Sequence, residues 1–238
     1  MPLQAIESQR LYRKVADQIA RLIREEHWAR GERLPAEREM AMQLGVSRPT
    51  VREAIIALEL LGMVEVRTGA GIYVADYHAD PPPSLFEAED QGPSPFELIA
   101  ARRVIEGETA AIAARRITDH DLEGLLQAIE KMEQDIDKGV QLVTSQEDGD
   151  RLFHSRVAAT ARNSVIQSIV EQLWEGMRRP LFAAICRRVR MPENARQAVR
   201  DHRSIYAEIA GGNPQGARDA MHRHLDQVER MLLRNGES

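Results

Sequence analysis

The stretch Gly45-Val46-Ser47-Arg48-Pro49-Thr50-Val51-Arg52-Glu53-Ala54 decides the fold. Gly45 can end a helix in the left-handed region, Ser47 is suited to cap the next one, and Pro49 is tolerated in a first turn. In the helix that begins near Arg48, Val51, Ile55 and Leu58 fall on one face. Arg48 and Arg52, four apart, share another. Two helices joined by so short a glycine turn make a helix-turn-helix, whose second helix fits the DNA major groove and reaches base edges with its N-terminal side chains. Arg48 and Arg52 can fork onto guanine or hold phosphates, and Ser47 and Thr50 add hydroxyls. The same arginine spacing also suits an ordinary solvated helix face.

The neighbouring sequence completes the pattern of the first reading without excluding the second. Upstream, Leu11, Val15, Ile19, Leu22 and Ile23 recur at three- and four-residue spacing, the stripe of an amphipathic helix. Pro35 suits the first position of a second helix running through Met40, Ala41 and Leu44. Downstream, Val64 and Val66 alternate with polar residues, Gly69-Ala70-Gly71 makes a turn, and Ile72 and Val74 alternate again. This predicts a β-hairpin, with Arg67 placed to carry a wing onto DNA. Three helices and a hairpin form a winged helix-turn-helix.

The chain has 238 residues, 43% of them apolar and 29% charged, which excludes a disordered or collagen-like polymer. Its net charge of −5 gives no global reason to expect nucleic acid. Residues 1–75 carry 11 basic and 10 acidic side chains, so the case for DNA rests on where particular arginines sit. No apolar run approaches the ~18 residues of a membrane helix and no secretory h-region precedes the first helix. Cys186 is the single cysteine, in keeping with a reducing compartment. A cytoplasmic, nucleoid-associated protein is expected.

Pro81, Pro82, Pro83, Pro93 and Pro95, with Gly92, interrupt all periodicity. The chain is therefore divided into a winged helix-turn-helix domain over 8–76, a linker over 77–94 and an all-helical domain over 95–236. Helices are predicted at 95–116, 119–137, 146–162, 164–178, 181–190, 194–210 and 215–234. Thr118 and Asp121 form a capping-box pattern with Asp in place of Glu. The expected fold class is mainly α.

Within the helical domain, Asp150 and His154 lie four apart on one helix face. A carboxylate and an imidazole at that spacing can share a metal ion, and His202 and His224 occur on two later helices. One Asp and three His would suit Zn²⁺, Ni²⁺ or Mn²⁺ with coordination positions left open. A surface hydrogen bond between Asp150 and His154 is the plainer reading of the pair. His222 should point away from His224 into solvent, and His27, His78 and His120 have no partner at metal spacing.

The segments Leu34-Pro35-Ala36-Glu37-Arg38, Gly45 to Ala54 and Gly69-Ala70-Gly71-Ile72-Tyr73-Val74 resemble the GntR family of bacterial transcription regulators. The resemblance places Arg38, Ser47, Arg48, Thr50 and Arg52 on DNA-contacting positions, and Thr68 and Gly69 at the wing tip. Pro49 stands where several relatives carry a small polar residue. Residues 95–234 are similar to the all-helical FCD ligand-binding domain of the FadR subfamily. That likeness implies that Asp150, His154, His202 and His224 hold a metal beneath an effector cavity, and disfavours a long-chain acyl-CoA.

Finer likeness lies in Pro95-Phe96-Glu97-Leu98 with Ala101-Arg102, in Ala159 to Ser164, and in Ile169-Val170-Glu171 with Trp174. It points to repressors of hexuronate utilisation, with glucuronate, galacturonate or fructuronate as effector class and lactate or gluconate as alternatives. Arg102 is the residue expected to take the effector carboxylate, with Arg103 its alternative, since neighbours on a helix lie about 100° apart. Trp174, Met177 and Phe182 either wall the pocket or fill the core. A homodimer on palindromic double-stranded operator DNA is implied. The rival reading is a metal-dependent enzyme acting on a sugar acid. It lacks a visible Glu at general-base spacing and leaves the DNA-reading segment unexplained.

Overall fold

The computed structural model describes residues 11–67, 69–76, 93–137, 148–178 and 192–234. The expected helix at 181–190, most of the linker, Thr68, His78, Phe182 and Cys186 lie outside them. The chain divides into two compact units.

The first unit contains α1 (Leu11–Arg24), α2 (Glu37–Leu44), α3 (Arg48–Leu60), β1 (Val64–Arg67) and β2 (Gly71–Val74). Its core joins Val15, Ile19 and Ile23 of α1 to Val51, Ile55 and Leu58 of α3, with Met40 and the hairpin's Val64, Ile72 and Val74. The α1 stripe starts at Tyr12, which is buried, while Leu11 is 55% exposed. A strict four-residue spacing turns about 40° further at each step, which carries Leu11 off the buried face. Helix α2 begins at Glu37 with Ala36 as N-cap, so Pro35 precedes the helix and does not open it.

Gly45 adopts φ 64° and its N–H donates to Ala41 O, closing α2 where a Cβ would be strained. Two residues later Ser47 Oγ accepts from Thr50 N at 3.3 Å and caps α3. The hairpin pairs Val64 with Val74 and Val66 with Ile72, as the alternation predicts. Segment 31–34 covers the other edge of β2, with Leu34 N donating to Ile72 O and Val74 N to Glu32 O.

The second unit contains α4 (Pro95–Ala114), α5 (Asp119–Asp137), α6 (Gly149–Thr160), α7 (Ser164–Met177), α8 (Pro192–Ala210) and α9 (Pro214–Arg234). A reciprocal Ser94–Glu97 box starts α4. The Thr118–Asp121 box forms as predicted at the start of α5, and Asn163 caps α7. Helix α4 runs along α9 and also meets α6 and α7, while α8 packs on α5 and α9. Phe153, Leu125, Ile129, Met132, Ile205, Met221 and Leu225 fill the centre. Gly149 opens α6 against α5 so closely that a Cβ would lie 2.6 Å from Met132 N. That contact fixes the turn carrying Asp150.

Candidate metal centre and DNA-reading surface

Asp150 and His154 project from α6, His202 from α8 and His224 from α9. One potential ligand atom from each lies within 4.8 Å of all the others. The three imidazoles are buried, and so is Asp150 Oδ1, which makes no hydrogen bond. His202 Nε2 is 3.0 Å from Asp150 Oδ1 and 3.1 Å from His154 Nε2, which is itself 3.4 Å from Asp150 Oδ1.

The opposite side of each ring sets its tautomer. His202 Nδ1 lies 2.7 Å from Ala198 O, which can only accept, so Nδ1 carries the hydrogen and Nε2 a lone pair. His154 Nδ1 lies against Glu106 Oε2 as a charge contact without a formed hydrogen bond, and a hydrogen on Nδ1 is the state that suits that carboxylate. With both rings neutral, two lone-pair nitrogens and a carboxylate oxygen then face one another. Such an arrangement calls for a cation. The 3.0–3.4 Å separations match the edges of a coordination shell with metal–ligand distances of about 2.0–2.2 Å. The residues therefore fit a divalent ion.

Burial opposes charge on every member, and the neighbours decide the balance. For Asp150, His154 and His202 in their protonated forms outweigh burial and hold the carboxyl well below its usual range. Burial lowers His154, but the carboxylates of Glu106 and Asp150 reverse the direction and raise it. His224 is lowered to about 4, by burial first and then by the neighbouring His202. Its neutral form is the one a metal needs.

Beside the cluster, Arg102 is 3% exposed. Its Nε donates to Glu106 Oε1 at 2.6 Å, its guanidinium lies 4.3 Å over the Trp174 ring, and its Nη1 reaches Met177 Sδ at 3.2 Å. Arg103, 42% exposed, turns outward to Asp226. Trp174 and Met177 are buried here, and the Trp174 indole nitrogen has no hydrogen-bond partner.

Glu106 and Asp201 were not foreseen. Glu106 stands one helical turn after Arg102, a spacing that signals an ion pair but not its histidine. Asp201 Oδ2 lies 3.6 Å from His224 Nδ1, a pairing across two helices that no local pattern announces. The rival enzyme reading found no nearby Glu. One is present, but it lies on the Nδ1 side of His154, away from the ligand cluster. His222 departs from expectation too, being half-buried where Gly107 of α4 leaves room for its ring.

In the first unit, Arg38, Ser47, Arg48 and Gly69 are exposed, and Thr50 is half-buried. Arg52 is a correction to the pair of open forks that the spacing suggests. It is 5% exposed, with Nε 3.1 Å from both oxygens of Glu37 and Nη2 2.8 Å from one. Arg67 pairs with Glu65 and lies 4.4 Å over Tyr73 at the base of the hairpin turn.

Comparison with known proteins accounts for both units. Residues 11–74 match the bacterial regulatory proteins of the gntR family, and residues 97–227 match the FCD domain. The chain belongs to the GntR family. This GntR regulator is 35% identical over 96% of its length to the Uxu operon transcriptional regulator of Escherichia coli K12, covering 89% of that protein. It is 34% identical to the Exu regulon transcriptional regulator of the same strain, over 97% of this chain and 88% of that one. A putative L-lactate dehydrogenase operon regulatory protein from that strain is 31% identical over 96% of the chain and 88% of its own length. The family and these relatives are transcription regulators, not enzymes. Among the described residues, no helix of the regulator is long and apolar enough to cross a membrane.

Proposed function

We propose that this GntR regulator is a repressor that binds a palindromic operator as a homodimer and leaves it when a sugar acid, foremost a hexuronate, binds the helical unit. It acts in the cytoplasm, at the nucleoid. The observation that carries the effector half is the convergence of Asp150 Oδ1, His154 Nε2 and His202 Nε2 at 3.0–3.4 Å from one another in a buried cluster.

Asp150, His154, His202 and His224 would hold a divalent ion, with Zn²⁺, Ni²⁺ and Mn²⁺ all compatible. When bound, the ion supplies an electrophilic centre for a carboxylate and its neighbouring hydroxyl. The chain's own residues do the rest. Arg102 provides a planar fork of matching charge, and Trp174 and Met177 keep that fork dry. Dryness strengthens the charge pairing. Release follows only if the acid binds the DNA-incompetent state more tightly than the operator-bound one.

On the DNA side, Arg48 reads base edges from the start of α3, Ser47 and Thr50 contact the backbone, Arg38 adds a phosphate contact, and Thr68 and Gly69 bring the wing close. The buried Arg52 holds α3 on α2 and adds whatever donor remains beyond Glu37.

The experiment is a thermal-shift panel of hexuronates, gluconate and lactate on metal-loaded and chelator-treated protein. An acid at ~100 times its Kd stabilises by about 2.7 kcal/mol. A hexuronate-selective shift that disappears on chelation is the expected result. A lactate-selective shift would favour the second reading, which the lactate-operon relative motivates. No shift with any acid in either form would overturn the metal-gated sugar-acid assignment.

A further inference from the structure

We propose that Glu106 is the positioning residue of the metal centre: it fixes which nitrogen of His154 faces the ion, and it ties that choice to Arg102. The inference rests on the metal reading above.

Glu106 is 2% exposed and both of its oxygens are engaged. Oε1 accepts from Arg102 Nε at 2.6 Å. Oε2 takes Arg102 Nη2 at 3.4 Å and touches His154 Nδ1. A carboxylate at neutral pH only accepts, so it selects the His154 tautomer with hydrogen on Nδ1. The Nε2 lone pair is then free to point at Asp150 and His202.

The other two rings are held differently. His202 leans on a backbone carbonyl, Ala198 O, that every residue type provides. His224 has Asp201 at 3.6 Å, beyond hydrogen-bond reach, and that carboxylate is 20% exposed. Of the three ring supports, only Glu106 is a fully buried side chain in direct contact. Without it, His154 is free to place its hydrogen on Nε2, toward Asp150 Oδ1, and that lone pair is lost to the ion.

A plain structural ion pair with Arg102 is the competing explanation. Buried ion pairs add little net stability over apolar packing, so stability alone gives weak reason for burying two charges. Contact with a ligand ring gives a functional one. Carboxylates behind ligating histidines typically govern metal affinity by 10–100-fold.

The test uses full-length protein with two variants. Glu106→Gln keeps the shape; its oxygen stays with Arg102 and its amide NH₂ faces His154 Nδ1, which reverses the tautomer. Arg102→Met combined with Glu106→Leu removes both charges together and leaves neither orphaned, so folding is retained. Zn²⁺, Ni²⁺ and Mn²⁺ affinities are read by competition with a chromogenic chelator, and the His154 tautomer by ring-nitrogen NMR of the metal-free protein. Both variants should bind metal about 10–100-fold more weakly than wild type. Recorded at a pH where the ring is neutral, the wild-type spectrum should show hydrogen on Nδ1 alone, and that of Glu106→Gln hydrogen on Nε2 alone. Wild-type affinity in either folded variant, or an unchanged tautomer in Glu106→Gln, overturns the role of Glu106 alone. Failure of wild type itself to bind any of the three metals overturns the metal reading and this inference with it.

Discussion

Two arginines one turn apart on α3 are given different work by a single carboxylate. Arg48 is exposed, whereas Arg52 is bound along its fork by Glu37 from α2. Arg48→Ala should weaken specific operator binding by about 1–3 kcal/mol in a gel-shift titration and, as a substitution at an exposed position, cost less stability than Arg52→Ala. Arg52→Ala should lower stability by about 1–3 kcal/mol in urea, because Glu37, only 16% exposed, loses its partner. Equal stability of the two variants would refute the division. Their shared face was legible from the four-residue spacing, but their difference was not. Glu37 is fifteen residues away, and only the packing of α2 on α3 brings it near. Glu106 escaped notice for the same reason: its contact with His154 exists only once α4 and α6 have met.

At the scale of elements, several boundaries were readable from locally written caps, but α6, expected from 146, begins at Gly149 behind its own Asp148 cap. Ser47, Ser94, Thr118 and Asn163 each sit within three residues of the amide or carboxylate they engage. Burial was less readable, as Leu11 shows, because a spacing rule leaves the exact phase of the face open. Asp121 connects the two levels. Its carboxylate opposes burial by accepting from Thr118 and Arg162, which hold it below its ordinary value. A depressed carboxyl contributes stability above its unfolded pKa of about 4 and loses it as pH falls through the lower folded value. Asp121→Ala should therefore cost about 1 kcal/mol at pH 7 and flatten the acid side of the melting curve below pH 4. An unaltered acid limb would sink that assignment.

For the whole molecule, the division into two units followed from the change of pattern around the prolines, and each core answers to its own perturbation. Leu58, fully buried between α1 and α3, should cost about 2–5 kcal/mol when cut to Ala, seen as loss of operator binding and of the first unit's melting transition. Chelation should instead lower the melting of the second unit, because the four proposed ligands come from α6, α8 and α9. A calorimetric trace in which chelator and Leu58→Ala shift the same transition equally would contradict this separation. The convergence of Asp150, His154, His202 and His224 was legible mainly through family likeness, since four side chains on three helices leave only the Asp150–His154 pair as a local trace.

The sealing of Arg102 sets a speed limit. Its guanidinium has an indole over one face, a carboxylate along one edge and a thioether at one tip, leaving 3% of the residue exposed. If Arg102 takes the effector as proposed, no acid reaches it by collision alone, and the surrounding side chains must part first. Capture should then be governed by the frequency of that opening, on the microsecond-to-millisecond scale of such motions. If the effector binds as proposed, the stopped-flow rate should rise with its concentration and then level off, so a surge of nutrient acid would change how much operator is freed without hastening the onset of its release.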